Sequence, residues 1–183
     1  TWDLIGERAL VLRGKDGKVR AFHNLCRHRG SRVVAEEYGN CRSVILCPFH
    51  GWTYNLDGSL RGAAQPKSFP NLDKLEYGLI PLEMDIWHGF VFVRFQPGPQ
   101  PPLSKFLRKF ENEISQYDLE DVEPTGEGFW TEQINANWKC VRDVDNEGYH
   151  VPMAHPGLHD LFGENYYDEP LEGGVSRSVG SFS

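Results

Sequence analysis

Cys26-Arg27-His28, then 18 residues, then Cys47-Pro48-Phe49-His50-Gly51-Trp52-Thr53-Tyr54: this pairing of Cys-x-His with Cys-x-x-His decides how the first half of the chain folds. Two short loops, each offering a thiolate and an imidazole, can close on one metal centre when strand-forming sequence brings them together from opposite sides. The donor set alone suits a tetrahedral zinc. It equally suits a two-iron, two-sulfide cluster with both cysteines on one iron and both histidines on the other.

Around these loops the sequence reads as short β-favouring runs. Residues 9–13 meet 18–22 across Gly14-Lys15-Asp16-Gly17, where Asp-Gly supplies hairpin turn chemistry. Residues 43–46, 51–55 and 59–62 are further strands, the last two joined by Leu56-Asp57-Gly58, and 89–95 is an apolar run broken only by Arg94. Gln96-Pro97-Gly98-Pro99-Gln100-Pro101-Pro102 lacks most amide donors and cannot continue a sheet, which predicts a domain boundary there. Beyond it Leu103, Phe106, Leu107, Phe110, Ile114 and Tyr117 recur at helical spacing. A helix is expected over about 103–117, a strand over 129–135, and a second helix over about 137–149 that Pro152 ends or kinks.

That second helix carries another donor group. At i, i+4 and i+7, Asp143, Glu147 and His150 share one helical face. His155 lies five residues beyond His150, about 140° round an ideal helix, and joins it where Pro152 breaks the helix. Two imidazoles and a carboxylate facing one iron is the arrangement of non-haem Fe(II) oxygenases. Cys41 and Cys140 fit neither donor set and read as small buried hydrophobes; His23 and His88 read as structural histidines.

With 183 residues and a net charge of −7, the chain is long enough for one or two domains, and a phosphate-backbone partner is disfavoured. No run approaches the roughly 20 apolar residues of a membrane span, and the first residues carry no basic n-region or apolar h-region. Two thiols committed to metal and two left unpaired suit a reducing, cytoplasmic compartment. The absence of an initiator Met, and an end without a closing element, predict a fragment.

The first constellation, with its Pro48 and Gly51 bracket and following Trp52 and Tyr54, closely resembles the Rieske iron–sulfur domain. Ser31 and Phe49 stand where Rieske proteins of respiratory complexes carry an extra disulfide, so the likeness is to the oxygenase and ferredoxin branch, toward the low end of the Rieske potential range. The run from Asn137-Trp138-Lys139 to Tyr149-His150-x4-His155 resembles the mononuclear-iron motif of Rieske non-haem iron ring-hydroxylating oxygenase α-subunits, the large, terminal oxygenase subunits. Two departures stand out: Val144 occupies a position where the family usually has Asn, and the third iron ligand, an Asp far downstream, has no counterpart. Asp160, Glu164 and Asp168 are read as loop acids.

The resemblance implies an all-β Rieske [2Fe-2S] domain over 1–98. After it comes the first part of an α+β (helix-grip, antiparallel-sheet) catalytic domain over 99–183, its C-terminal remainder absent. It makes Cys26, His28, Cys47 and His50 the cluster ligands and His150 and His155 ligands of a mononuclear Fe(II). Glu147 becomes the carboxylate bridging that iron site to His50 of a neighbouring subunit in a homotrimer. The implied function is a terminal oxygenase. Electrons pass from an NAD(P)H-dependent reductase, directly or through a ferredoxin, by way of the cluster to Fe(II), where O2 is activated to dihydroxylate, hydroxylate or dealkylate a small, aromatic substrate. A β-subunit is left open, no nucleic acid or membrane partner is expected, and the alternative is a Rieske-type ferredoxin that only carries electrons.

Overall fold

In a computed structural model of the chain, internal contacts form two units, Thr1–Glu123 and Pro124–Ser183. The structure describes residues 1–4, 6–96, 98, 101–123, 132–163, 166–171 and 175–180, with Trp2–Leu4, Glu120 and Val175 described by backbone alone.

The first unit is built from small antiparallel sheets. β1 (Trp2–Leu4), β2 (Glu7–Arg13) and β3 (Val19–His23) pair in that order, with Arg13 opposite Val19 across the expected turn. The turn is closed by the Gly14 N–H on the Lys18 carbonyl at 2.8 Å, and the Arg20 guanidinium clamps both Asp16 oxygens at 2.9 and 2.7 Å. β4 (Ile45–Leu46), β5 (Thr53–Tyr54) and β6 (Leu60–Gly62) make the second sheet, shorter than the sequence runs, with Gly51 and Trp52 given over to the second ligand loop and Asn55–Ser59 to the β5–β6 turn. Gly58 closes β5 to β6 at φ +86°, and a Cβ there would lie 2.3 Å from the Phe22 ring, so this turn packs directly on β3. Leu10, Phe22, Val33, Ile45, Trp52 and Tyr54 are buried in one core together with Cys26 and Cys47.

The run 89–95 forms β8 (Phe90–Arg94), paired with β7 (Glu83–Trp87), a strand the sequence reading did not anticipate. The expected boundary at 98/99 and the contact units differ in place. After the Pro-rich stretch, α1 (Leu103–Leu107) packs on β7. The Leu103 N–H donates to Glu83 Oε1 at 3.1 Å, and Arg94 donates to Glu83 at 3.0 Å and to the Pro101 carbonyl at 2.8 Å. Proline therefore ends the sheet while the chain stays with the first unit through Glu123. The helix expected over 103–117 is split into α1, a 3-10 turn at Arg108–Phe110, and α2 (Glu111–Ile114). The tightening accompanies two bonds that draw Glu111 to the β7–β8 turn, from Trp87 Nε1 at 2.8 Å and His88 Nε2 at 2.9 Å.

In the second unit, α3 (Trp138–Asp145) starts where Asn137 accepts the Lys139 N–H at 3.0 Å. It ends at Asp145, short of the expected 149. α4 (Val151–Ala154) and α5 (Pro156–Phe162) follow, then a hairpin of β9 (Tyr167–Leu171) and β10 (Val175–Val179). Pro152 opens α4 instead of breaking a helix, since a proline in the first turn loses no intrahelical bond. Of the strand expected over 129–135, residues 129–131 lie outside the described residues and 132–135 are unpaired. Asp160 is helical and Asp168 lies in β9, so neither is a loop acid; Glu164 lies outside the described residues. Cys140 is exposed, against expectation, because it stands on an uncovered face of α3, whereas Cys41 is partly buried against the first unit's core. Among the described residues no helix is long and apolar enough to cross a membrane.

Candidate metal centres

The two ligand loops of the first unit are built alike. In each, the cysteine carbonyl accepts the N–H of the glycine four residues on: Gly30 to Cys26 at 2.8 Å and Gly51 to Cys47 at 3.0 Å. In each, the cysteine N–H donates to the carbonyl five residues on, that of Ser31 at 2.7 Å and that of Trp52 at 2.8 Å. Both glycines sit at φ +68°, the left-handed region where a side chain is disfavoured. The same offset from cysteine to glycine is present in the sequence, and it explains why two different motifs, Cys-x-His and Cys-x-x-His, produce matching loops.

Asn24 fixes the first loop from below, a residue the sequence reading missed. It is fully buried; its Oδ1 accepts the N–H groups of Val33 and Val34 at 3.1 and 3.0 Å, and its Nδ2 donates to the Val34 carbonyl at 2.7 Å. Nothing in a lone asparagine two residues before a cysteine distinguishes this role from a surface position.

The donors converge. Cys26 and Cys47 are buried free thiols, and the rings of His28 and His50 meet edge to face with centroids 4.7 Å apart. Tyr54 Oη accepts the Arg27 N–H at 3.0 Å and lies 3.2 Å from Cys26 Sγ. Burial, reinforced by the bond to Cys26, raises the phenol above its ordinary value, so the hydroxyl keeps a proton that it can donate to Cys26 when that sulfur is a thiolate. Burial raises the Cys26 thiol, opposed by the Tyr54 bond and by the His28 amide. Burial first, then the His50 and Arg29 charges, lowers His28.

A [2Fe-2S] cluster fits these residues on one direct observation: His28 Nδ1 is buried and has no hydrogen-bond partner among the described residues. A neutral imidazole nitrogen left bare in a protein interior is costly unless a metal takes its lone pair. Among the described residues, no three His, Cys, Asp or Glu side chains are placed to hold a single ion. His28 is half-buried beneath Trp52, and His50 is exposed beside Phe49, whose ring centroid is 3.9 Å away.

In the second unit Glu147 and His150 do not stand on α3 with Asp143; they lie on the bend between α3 and α4. Asn146 caps α3, and its side chain is taken by the Ser176 hydroxyl. The bend lets Glu147 reach both partners: Oε1 lies 2.6 Å from His150 Nδ1, and Oε2 accepts the Tyr149 N–H at 2.7 Å. The His150 bond is the largest cause holding Glu147 below the usual carboxylate range. An ionised carboxylate only accepts, so Nδ1 carries the imidazole proton and Nε2 is left with the lone pair. His150 precedes α4 and His155 follows it, and this single turn brings their rings to 5.2 Å at 74°. Beside Glu147 opens a cavity of about 730 Å³ with Tyr149, Tyr166, Tyr167, Asp168 and Glu169 in its wall. In that wall Tyr149 is exposed, and on α4 Val151 is buried and Met153 exposed.

His23 and His88 are structural in their contacts. His23 packs on Phe95 with centroids 6.0 Å apart, and His88 pairs with Glu111.

Residues 1–76 match the family described as Rieske [2Fe-2S] domain, and residues 112–174 match the family described as ring hydroxylating alpha subunit (catalytic domain). The glycine betaine monooxygenase oxygenase subunit of Pseudomonas aeruginosa is 39% identical over 149 residues, covering 81% of this chain and 34% of that protein. The carnitine monooxygenase oxygenase subunit of Escherichia coli K12 is 31% identical over 186 residues, covering 98% of this chain and 48% of that protein. A crystal structure of the quaternary ammonium Rieske monooxygenase CntA with L-carnitine superposes with a TM-score of 0.77 at 31% identity, over 93% of this chain and 48% of that one. The chain thus spans between a third and a half of the length of these curated relatives.

Proposed function

Since the chain belongs to the Rieske ring-hydroxylating oxygenase α-subunits, we propose that it is part of a terminal oxygenase that takes electrons from an NAD(P)H-dependent reductase, directly or through a ferredoxin, and oxygenates a small quaternary ammonium compound. Residues 1–98 carry the cluster and 99–183 open the iron-bearing catalytic domain. The observation that carries the reading is the presence, in one chain, of two thiolate–imidazole loops with a bare buried His28 Nδ1 and of a His150–His155 pair whose tautomer is set by Glu147.

Cys26, Cys47, His28 and His50 would hold the cluster, and His150 and His155 would hold Fe(II). When bound, the cluster stores and passes single electrons and the Fe(II) activates O2, so that one O2, two electrons and two protons convert a C–H bond to C–OH and release water. The chain's residues do the rest. Glu147 keeps the His150 proton on Nδ1 and fixes the ring plane; the Tyr149 amide holds the other carboxylate oxygen in place. In the homotrimer we propose, Glu147 of one subunit faces His50 of the next, and the exposure of His50 is what such a contact requires. Free Cys41 and Cys140 suit a reducing cytoplasm.

A quaternary ammonium substrate replaces the aromatic one expected from sequence. The relatives named for glycine betaine and carnitine support it. Tyr149, Tyr166 and Tyr167 in the cavity wall offer ring faces to a trimethylammonium cation beside Glu147 and Asp168, while Arg142 also lines the wall and Glu169 is paired with Arg177. The carrier alternative leaves the Glu147–His150–His155 group without a task.

The test is metal and sulfide analysis of anaerobically prepared protein, followed by substrate-dependent O2 uptake with a reductase. Two irons and two sulfides lost together in Cys47→Ser, and a further Fe(II) lost in His155→Ala, are expected. Uptake should rise with glycine betaine, carnitine or choline. Zinc without sulfide overturns the cluster reading, and uptake with naphthalene alone overturns the substrate class.

A further inference from the structure

Two ring nitrogens in the first unit are buried without a hydrogen-bond partner among the described residues: His28 Nδ1 and Trp52 Nε1. They belong to rings that lie flat against each other, with centroids 5.1 Å apart and planes inclined by 5°. The cluster accounts for the first, because an imidazole lone pair is what iron takes. It does not by itself account for the second. An indole nitrogen is a donor and nothing else, so a buried Trp52 needs an acceptor.

Few side chains of this core could accept it. Tyr54 Oη receives the Arg27 N–H and lies 3.2 Å from Cys26 Sγ. Besides the Tyr54 hydroxyl, the polar side-chain atoms of the buried cluster around Trp52 are the sulfurs of Cys26 and Cys47, to which a bound cluster would add its sulfides. Trp52 is 2% exposed, so water is a poor substitute. Nor can the indole readily turn away. Phe69 and Tyr77 meet it edge-on at 5.7 and 5.8 Å, and Phe69 meets His28 the same way at 5.8 Å.

We propose that the Trp52 indole N–H donates a hydrogen bond to a sulfur of the [2Fe-2S] cluster and thereby raises its reduction potential, while the ring face holds the His28 imidazole in plane. Reduction adds negative charge to the sulfurs, and a donor aimed at one of them favours the reduced state. Trp52 is thus a positioning residue with an electrostatic task, a second sulfur donor beside Tyr54. The inference rests on the cluster reading of the four ligands. Iron and sulfide analysis of the unmodified chain tests that reading separately.

The experiment is potentiometric titration of the cluster-loaded chain, unmodified and as Trp52→Phe, with pulsed EPR of the reduced state after indole-15N labelling of tryptophan. In Trp52→Phe the reduction equilibrium should fall about tenfold, which for one electron is about 59 mV, with iron and sulfide content kept. The unmodified chain should show a 15N coupling that disappears in the variant. If Trp52→Phe does not load, replacement of Trp52 by 3-benzothienylalanine, which keeps the bicyclic ring and lacks the N–H, decides: a lowered potential supports the bond. A loaded variant of either kind with unchanged potential, or a missing 15N coupling in the unmodified chain, overturns it.

Discussion

Single residues near the cluster divide into those that touch sulfur and those that hold the loop. Tyr54 touches sulfur: its oxygen accepts the Arg27 N–H and lies 3.2 Å from Cys26 Sγ, to which it is expected to donate when Cys26 is a thiolate. Tyr54→Phe should therefore lower the cluster potential and cost about 1 kcal/mol of stability, read by potentiometry and thermal melting. An unchanged potential would mean that the hydroxyl does not donate to Cys26. Asn24 holds the loop and touches no ligand. Asn24→Leu removes three hydrogen bonds and leaves the Val33 and Val34 amides bare, a loss on the order of 3 kcal/mol. It should melt earlier and load less iron, yet the cluster that does form should keep its potential, which separates the two kinds of residue in one pair of variants. Glu147 belongs to a third kind. Glu147→Gln should leave both metals bound and slow electron transfer between them, seen as a cluster that reduces normally but reoxidises slowly with substrate and O2.

The elements that carry these residues were legible where local chemistry dictates them and illegible where distant side chains do. Asp16-Gly17 and Asp57-Gly58 announced their turns, and the apolar run 89–95 announced β8. β7 was invisible because Glu83, Asp85 and Trp87 acquire a reason to be a strand only when β8 lies beside them. The helical period through 103–117 was real, but its interruption depends on Glu111 reaching Trp87 and His88, a contact across more than twenty residues. Likewise the spacing put Asp143, Glu147 and His150 on one helical face with His155 joined through a break at Pro152, whereas the bend at 146–150 and the single turn of α4 are what bring Glu147, His150 and His155 together. The Glu111 bonds predict a pH dependence. The Trp87 bond chiefly, then that of His88, lowers the Glu111 carboxyl below its ordinary value. A depressed carboxylate adds stability that is present above its unfolded pKa and is lost as pH falls through the lower folded value. Acid melting of the unmodified chain should accordingly steepen below about pH 4.3 relative to Glu111→Gln, and parallel curves for the two would rule the carboxylate out as a contributor.

At the scale of the whole molecule, burial is unequally shared. Every buried apolar side chain among the described residues belongs to the first unit except Val151. Buried apolar area sets how costly local opening is, so the two units should not open with the same free energy. Backbone amides of β2, β3 and β5 are expected to exchange slowly with deuterium and to follow global unfolding, while those of α3, α4 and α5 exchange through local opening at much lower cost. The histidine pair makes this testable in a second way. His150 and His155 flank a four-residue helix that one hydrogen-bonded turn alone hardly sustains. A metal taken by both rings would tie its two ends and slow exchange across 150–159 without altering β2 or β3. Hydrogen-exchange mass spectrometry of the cluster-loaded chain, with and without added Fe(II), reads both effects at once. Protection confined to 150–159, and absent in His155→Ala, is the expected result. Equal protection in the two units before metal is added, or an Fe(II) effect that survives in His155→Ala, would show that the pair is held by packing and not by a shared ligand.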